Sequence, residues 1–115
     1  MEQNIFNYKI VQNSASVIEL GNKVLGGNDS IVFSGLLEEL ISQGVNYFVV
    51  NLEKVEIMNS SGLGMLVGAF SNVKKRNVRL VLASIPEKFK NLLTMTHLDQ
   101  VFKVYDNIDD ALAAC

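Results

Sequence analysis

One junction limits what this chain can fold into. Residues 47–52, Tyr-Phe-Val-Val-Asn-Leu, make an almost unbroken apolar and β-branched run of strand length, the pattern of a strand covered on both faces. From Leu63 onward, apolar residues return at helical spacing in Leu66, Val67, Phe70 and Val73, one stripe able to pack back onto that strand. Between the two stands Met58-Asn59-Ser60-Ser61-Gly62-Leu63-Gly64. Asn59, Ser60 and Ser61 therefore fall at or beside a helix N-terminus, where a side-chain oxygen can accept a hydrogen bond from an unpaired backbone N–H. A well-capped helix start is the plainest account of them.

The rest of the chain fits around this junction. Residues 5–11 and 15–20 mix Ile, Phe, Tyr and Val with polar residues on either side of Asn13-Ser14, which predicts an N-terminal β-hairpin at one edge of a sheet. The 21–29 segment, with three glycines, two Asn and an Asp, reads as a loop able to take positive φ and to approach a partner closely. Asp29 or Ser30 is expected to cap a helix whose apolar face is Phe33, Leu36, Leu37, Leu40 and Ile41, with Gly44 as its stop. The second helix runs to about Lys75, and Lys74, Lys75 and Arg76 in its last turn offset the negative end of the dipole. Residues 78–83 form another strand. Pro86 then stands near the first position of a helix that buries Phe89, Leu92 and Leu93. Residues 101–105 read as a further strand, followed by a short helix with Asp109 and Asp110 in its first turn and Ile108 and Leu112 facing inward. The order predicts an α/β fold: a mixed sheet with an N-terminal hairpin, parallel right-handed crossovers and about four helices. Ligands and partners of such sheets gather at the carboxyl ends of the strands, where the junction lies.

Composition narrows the function. The 115 residues, 49% of them hydrophobic, are expected to build one core and one domain, 1–115. A formal charge of -2 does not favour nucleic acid or an acidic membrane surface as partner. The only cysteine is Cys115, which fits a reducing compartment. With Glu2 and Gln3 after Met1 and no run of about 18 apolar residues, no leader or membrane insertion is expected, and the reading is a soluble, cytoplasmic protein.

Catalysis finds few candidates. Ser60 or Ser61 as a nucleophile requires a positioned base, and the sole histidine, His97, has no orienting carboxylate at a telling spacing. It reads as a surface or cap residue. One histidine and one terminal cysteine offer no metal-ligand cluster, and the adjacent pairs Glu38-Glu39 and Asp109-Asp110 diverge on their helices. The chain is expected to be no enzyme and to need no cofactor. The backbone N–H groups of Ser60-Ser61-Gly62 suit an anion, although the Lys-Ser/Thr of a nucleotide-binding loop is missing. A covalent version is physically sound: a serine here can carry a phosphoryl group favoured by the helix dipole.

The run Val49-Val50-Asn51-Leu52, Val55, Ile57-Met58-Asn59-Ser60-Ser61-Gly62-Leu63-Gly64 resembles the core of the STAS family, the sulphate transporter and anti-sigma factor antagonist domains, and in particular its stand-alone bacterial members. Their pattern is a hydrophobic strand, a short connection, then Asp-Ser-Ser/Thr-Gly-Leu/Ala-Gly opening a helix. The resemblance implies a STAS-like fold and an anti-sigma factor antagonist. Its binding of an anti-sigma factor that is also an ATP-using serine kinase frees a sigma factor for transcription. It further implies phosphorylation of Ser60, which turns binding off and which a phosphatase would reverse. Ser61 is the second acceptor candidate, with capping or packing as its main role. Met58, Asn59, Ser61, Gly62, Leu63 and Gly64, with Gly26, Gly27, Asn28 and Asp29 of the loop, are the implied partner surface. Two positions depart from the pattern: Asn59 replaces the usual Asp, keeping a capping oxygen without the charge, and the 21–29 loop lacks the usual Gly-x-Leu-Asp. A STAS subunit docking constitutively on an ATP-binding cassette ATPase is the alternative reading, and a small-ligand sensor with a pocket near the glycine loop is a third.

Overall fold

The computed structural model of the chain describes residues 6–11 and 14–115; the expected strand start at Ile5 and turn residue Asn13 lie outside them. In chain order the elements are β1 (Phe6–Val11), β2 (Ala15–Leu20), β3 (Lys23–Val24), α1 (Asn28–Ser42), β4 (Tyr47–Asn51), β5 (Ile57–Met58), α2 (Ser60–Lys74), β6 (Arg79–Ala83), α3 (Glu87–Met95), a 3₁₀ turn (Leu98–Gln100), β7 (Val104–Tyr105) and α4 (Ile108–Ala113). Five strands form one sheet in the order β1-β2-β4-β6-β7. The β1–β2 hairpin is antiparallel and occupies an edge, while the other pairings are parallel.

The apolar run of β4 is buried at every position because both faces of the sheet are covered there. Phe48 and Val50 join Ile18, Leu20, Leu80 and Leu82 beneath Phe33 and Leu37 of α1, Leu63 and Leu66 of α2, and Phe89 of α3. Tyr47 and Val49 turn the other way, with Val17, Val81 and Ala83, toward Ala111 of α4. Burying each such large side chain contributes about 1.5–3 kcal/mol. Helix α1 stops as the glycine at position 44 predicts: Gly44 takes φ 103°, and Gly44 N–H and Val45 N–H bond to the carbonyls of Ile41 and Leu40, a Schellman closure.

Helix α4 is held by one buried bond. Tyr47 Oη donates to the carbonyl of Ala111 at 2.7 Å, and Arg79 stacks 4.8 Å from the Tyr47 ring centre. Burial pushes the Tyr47 phenol up, Tyr105 adds to this, and Arg79 opposes it. The folded state thus keeps the proton longer than the unfolded chain, so this contribution is complete below the ordinary phenol value of 10.0 and is lost as pH rises beyond it. Tyr47→Phe is expected to cost about 1 kcal/mol in urea unfolding at neutral pH and to flatten the alkaline fall in stability. An unchanged midpoint and an unchanged pH profile would contradict this role.

Three local expectations are corrected. Gly27, not Asp29 or Ser30, occupies the cap of α1, with φ 60° and no side-chain cap bond; the chain turns into the helix at Gly26-Gly27, so Asp29 and Ser30 already lie inside it. Pro86 stands at the N-cap of α3, beside its first position as expected. Residues 101–103 are not strand: Val101 and Phe102 N–H groups bond back to the Leu98 carbonyl, and Phe102 dives into the core, leaving only Val104–Tyr105 to pair with β6. The 21–29 segment is not all loop, since β3 lies within it and pairs in parallel with β5. The cations after α2 are tied down beyond any dipole effect: Lys74 lies over the Phe70 ring and Arg76 pairs with Glu38 of α1.

Candidate functional site

The junction read from the sequence is assembled from two segments. Asn59, in extended backbone, caps α2: its Oδ1 accepts from Gly62 N–H at 2.8 Å, and its carbonyl takes the first helical bond, from Leu63 N–H at 2.9 Å. Loss of such a cap costs about 1 kcal/mol, so Asn59→Ala is expected to lower the urea midpoint accordingly. Asn59→Asp should hold or slightly raise it, because a negative charge is favoured at a helix start. If the Ala variant unfolds like the parent, the cap is not contributing.

The glycine segment locks onto this start. Asn22 O accepts from the N–H groups of Glu56 and Ile57 at 2.7 and 3.0 Å, and Val24 O accepts from Asn59 N–H at 3.3 Å. A Cβ on Gly62 would lie 1.9 Å from Val24 O, and one on Gly26, whose φ is +76°, would lie 2.7 Å from Ser61 atoms. Both glycines are needed for backbone to approach backbone. The close approach expected of the loop is thus made to its own chain, and it sets the starts of α1 and α2 side by side.

The residues expected to form a surface divide accordingly. Ser60, Ser61, Asn59, Gly64, Gly27 and Asn28 are exposed, and Met58 and Asp29 partly so. Gly62, Leu63 and Gly26 are buried and support the site from behind; Leu63 belongs to the core. The Ser60 and Ser61 hydroxyls make no hydrogen bond among the described residues. Below Ser61 a groove of about 330 Å³ runs between α1 and α2, lined among others by Gly27, Ser30, Gly64, Gly68 and Asn72. Large apolar side chains stand exposed on the segments around the junction, among them Leu25 at 42%, Ile31 at 72% and Ile57 at 50%; of these the sequence analysis names only Ile57. For Leu25 and Ile31 the signal is an apolar residue beside a glycine turn or outside the apolar stripe of a helix. His97 is exposed and distant in the chain, in left-handed backbone before the 3₁₀ turn. No group of acids, histidine and cysteine among the described residues can hold a metal, and none of the described helices is long and apolar enough to cross a membrane.

This arrangement, a capped serine pair opening a helix behind a buried strand, matches a known family: the STAS domain pattern covers residues 9–111. The chain belongs to the STAS domain family. A relative from Thermotoga neapolitana, a homologue of a provisionally assigned anti-sigma factor antagonist, is 32% identical over 109 residues, covering 94% of this chain and 95% of its own. The crystal structure of a provisionally assigned antagonist from Thermotoga maritima aligns with a TM-score of 0.77 at 30% identity, over 95% of this chain and 92% of that one. A Bacillus cell fate determinant solved in its phosphorylated form shares the fold, with a TM-score of 0.73 at 18% identity over 95% and 97% of the two chains. The STAS fold expected from the sequence is therefore the fold observed, and the β3–β5 clasp joins the loop and the serine motif of this STAS domain.

Proposed function

We propose that this protein is an anti-sigma factor antagonist, a binding module without catalytic chemistry of its own, switched off by phosphorylation of Ser60. Its partner is an anti-sigma factor with serine kinase activity that uses ATP, and a phosphatase restores the binding form. The observation that carries the reading is Ser60 itself: an exposed residue at the first position of α2, while Leu25, Ile31 and Ile57 stand exposed on the adjoining glycine segment, α1 and β5. The family assignments of the Thermotoga relatives point the same way.

The physics of such a switch is direct. A phosphoryl group on Ser60 adds about two negative charges where the dipole of a 15-residue helix and its unpaired first N–H groups tolerate them. The free protein is then little disturbed. A partner packed on the neighbouring apolar side chains must instead desolvate that charge, and binding is lost. Ser61 faces the groove beside Gly26 and serves the turn geometry.

The test is to incubate the protein with ATP and the kinase-like anti-sigma factor of the same organism, then map phosphate by mass spectrometry. One phosphate on Ser60, absent from Ser60→Ala and retained in Ser61→Ala, is the expected result. Phosphate elsewhere, or none, would overturn the assignment of the switch.

A further inference from the structure

We propose that a cavity on the far face of the sheet, away from α1 and α2, binds a free α-amino acid with a short aliphatic side chain. On that face α4 packs against β4, β6 and β7, Ala15 and Val17 of β2 are buried in the same cluster, and β1 and the end of β2 at Glu19 stay exposed or half-exposed. The resulting hollow, about 250 Å³, is lined by Lys9, Val17, Glu19, Asn51 and Ile108 among others. Strand register places its polar groups together: Lys9 is opposite Val17 in the hairpin, and Glu19 is beside Asn51 in the parallel pair. The hollow lies at the carboxyl ends of β2 and β4, where open sheets of this class take ligands.

Asn51 is the observation that calls for a ligand. It is 2% exposed and is one of the buried polar residues in an otherwise apolar strand. Its Oδ1 accepts from Glu53 N–H at 3.1 Å, but its Nδ2 donates to no acceptor among the described residues. Buried donors are almost always paired, and this one borders a cavity. A carboxylate oxygen would satisfy it, with Lys9 bringing positive charge to the same rim. Glu19 supplies the complement: Oε1 is held by Lys54 Nζ at 3.3 Å, leaving Oε2 for an ammonium group. Val17 and Ile108 form an apolar wall that suits a branched aliphatic chain.

Carboxylate, ammonium and alkyl group each have a place, so an amino acid should bind better than either half of it. The test is a titration of uniformly ¹⁵N-labelled protein by NMR, following the Asn51 side-chain amide pair, which is identified by its absence in Asn51→Asp. That variant keeps the oxygen used by Glu53 and loses the donor. L-valine is compared with isovalerate, which lacks the ammonium, and isobutylamine, which lacks the carboxylate. Saturable shifts of the Asn51 amide with valine are expected, at least about tenfold weaker for each fragment, the scale of one lost charge-assisted contact. Glu19→Gln, a variant of a partly exposed side chain, should remove the preference for valine over isovalerate. An Asn51 amide unmoved by all three compounds, or fragments that bind as tightly as valine, would overturn the proposal. Because the readout needs no partner protein, it stands or falls apart from the Ser60 switch.

Discussion

Replacing Gly62 by alanine is expected to destabilise the protein by about 2–3 kcal/mol, a drop in melting temperature on the order of 10 °C for a domain of this size. The added Cβ would lie 1.9 Å from the Val24 carbonyl oxygen. That atom is backbone, fixed by its bond from Asn59 N–H, so no rotamer change can clear the clash. Either β3 leaves β5 or the first turn of α2 tilts away, and both disturb the Asn59 cap. The better helix propensity of alanine returns at most about 1 kcal/mol. Gly64 is the control: nothing lies within 4 Å of its hypothetical Cβ, and Gly64→Ala should stabilise by about 0.5–1 kcal/mol. Urea unfolding of the two variants checks both signs. Equal stability of Gly62→Ala and the parent would mean that the clasp does not form as described.

The largest functional effect is expected from Ser60→Asp, which should weaken binding to the anti-sigma factor by about 100-fold, or about 2.7 kcal/mol. Stability should move by less than about 0.5 kcal/mol, because an exposed acid in the first helical turn is favourable by itself. The separation of the two readouts is what makes the experiment informative. Ser60→Ala should bind nearly as the parent does while escaping phosphorylation. Isothermal titration with the purified partner measures the affinities. Parent-like binding by Ser60→Asp would remove Ser60 from the interface and leave constitutive docking as the better account.

Much of this was legible in the sequence because it rests on periodicity and on residues with narrow conformational habits. The β4 run, the stripes of α1 and α2, Gly44 as a helix stop and the edge hairpin all follow from side-chain pattern. What escaped was set by tertiary context. Two-residue strands such as β3 and β5 have no period to detect, so the glycine segment reads as open loop although its Asn22 and Val24 carbonyls bond to Glu56, Ile57 and Asn59. The alternation of residues 101–105 imitated a strand, but a 3₁₀ turn had already used the N–H groups of Val101 and Phe102. At the site, the motif located Ser60 and the cap, while the burial of Leu63 and the exposure of Leu25, Ile31 and Ile57 depend on how α1 and α2 lie against each other. Asn51, a lone polar residue in an apolar strand, is visible in the sequence as part of the family core, but only the folded sheet places it beside a hollow lined by Lys9, Val17 and Glu19.

The backbone contacts of Val24 with Gly62 and of Gly26 with Ser61 also set terms for inheritance. Neither segment has room to grow unless the other recedes, so the loop and the serine motif can change only as a pair. A chimera that takes residues 21–29 from a relative while keeping residues 58–64 of this chain will assemble poorly, whereas one that exchanges both segments together keeps its seam intact. The two segments are thus transferable as a two-part cassette, and change in either half alone is held in check by the carbonyl of residue 24.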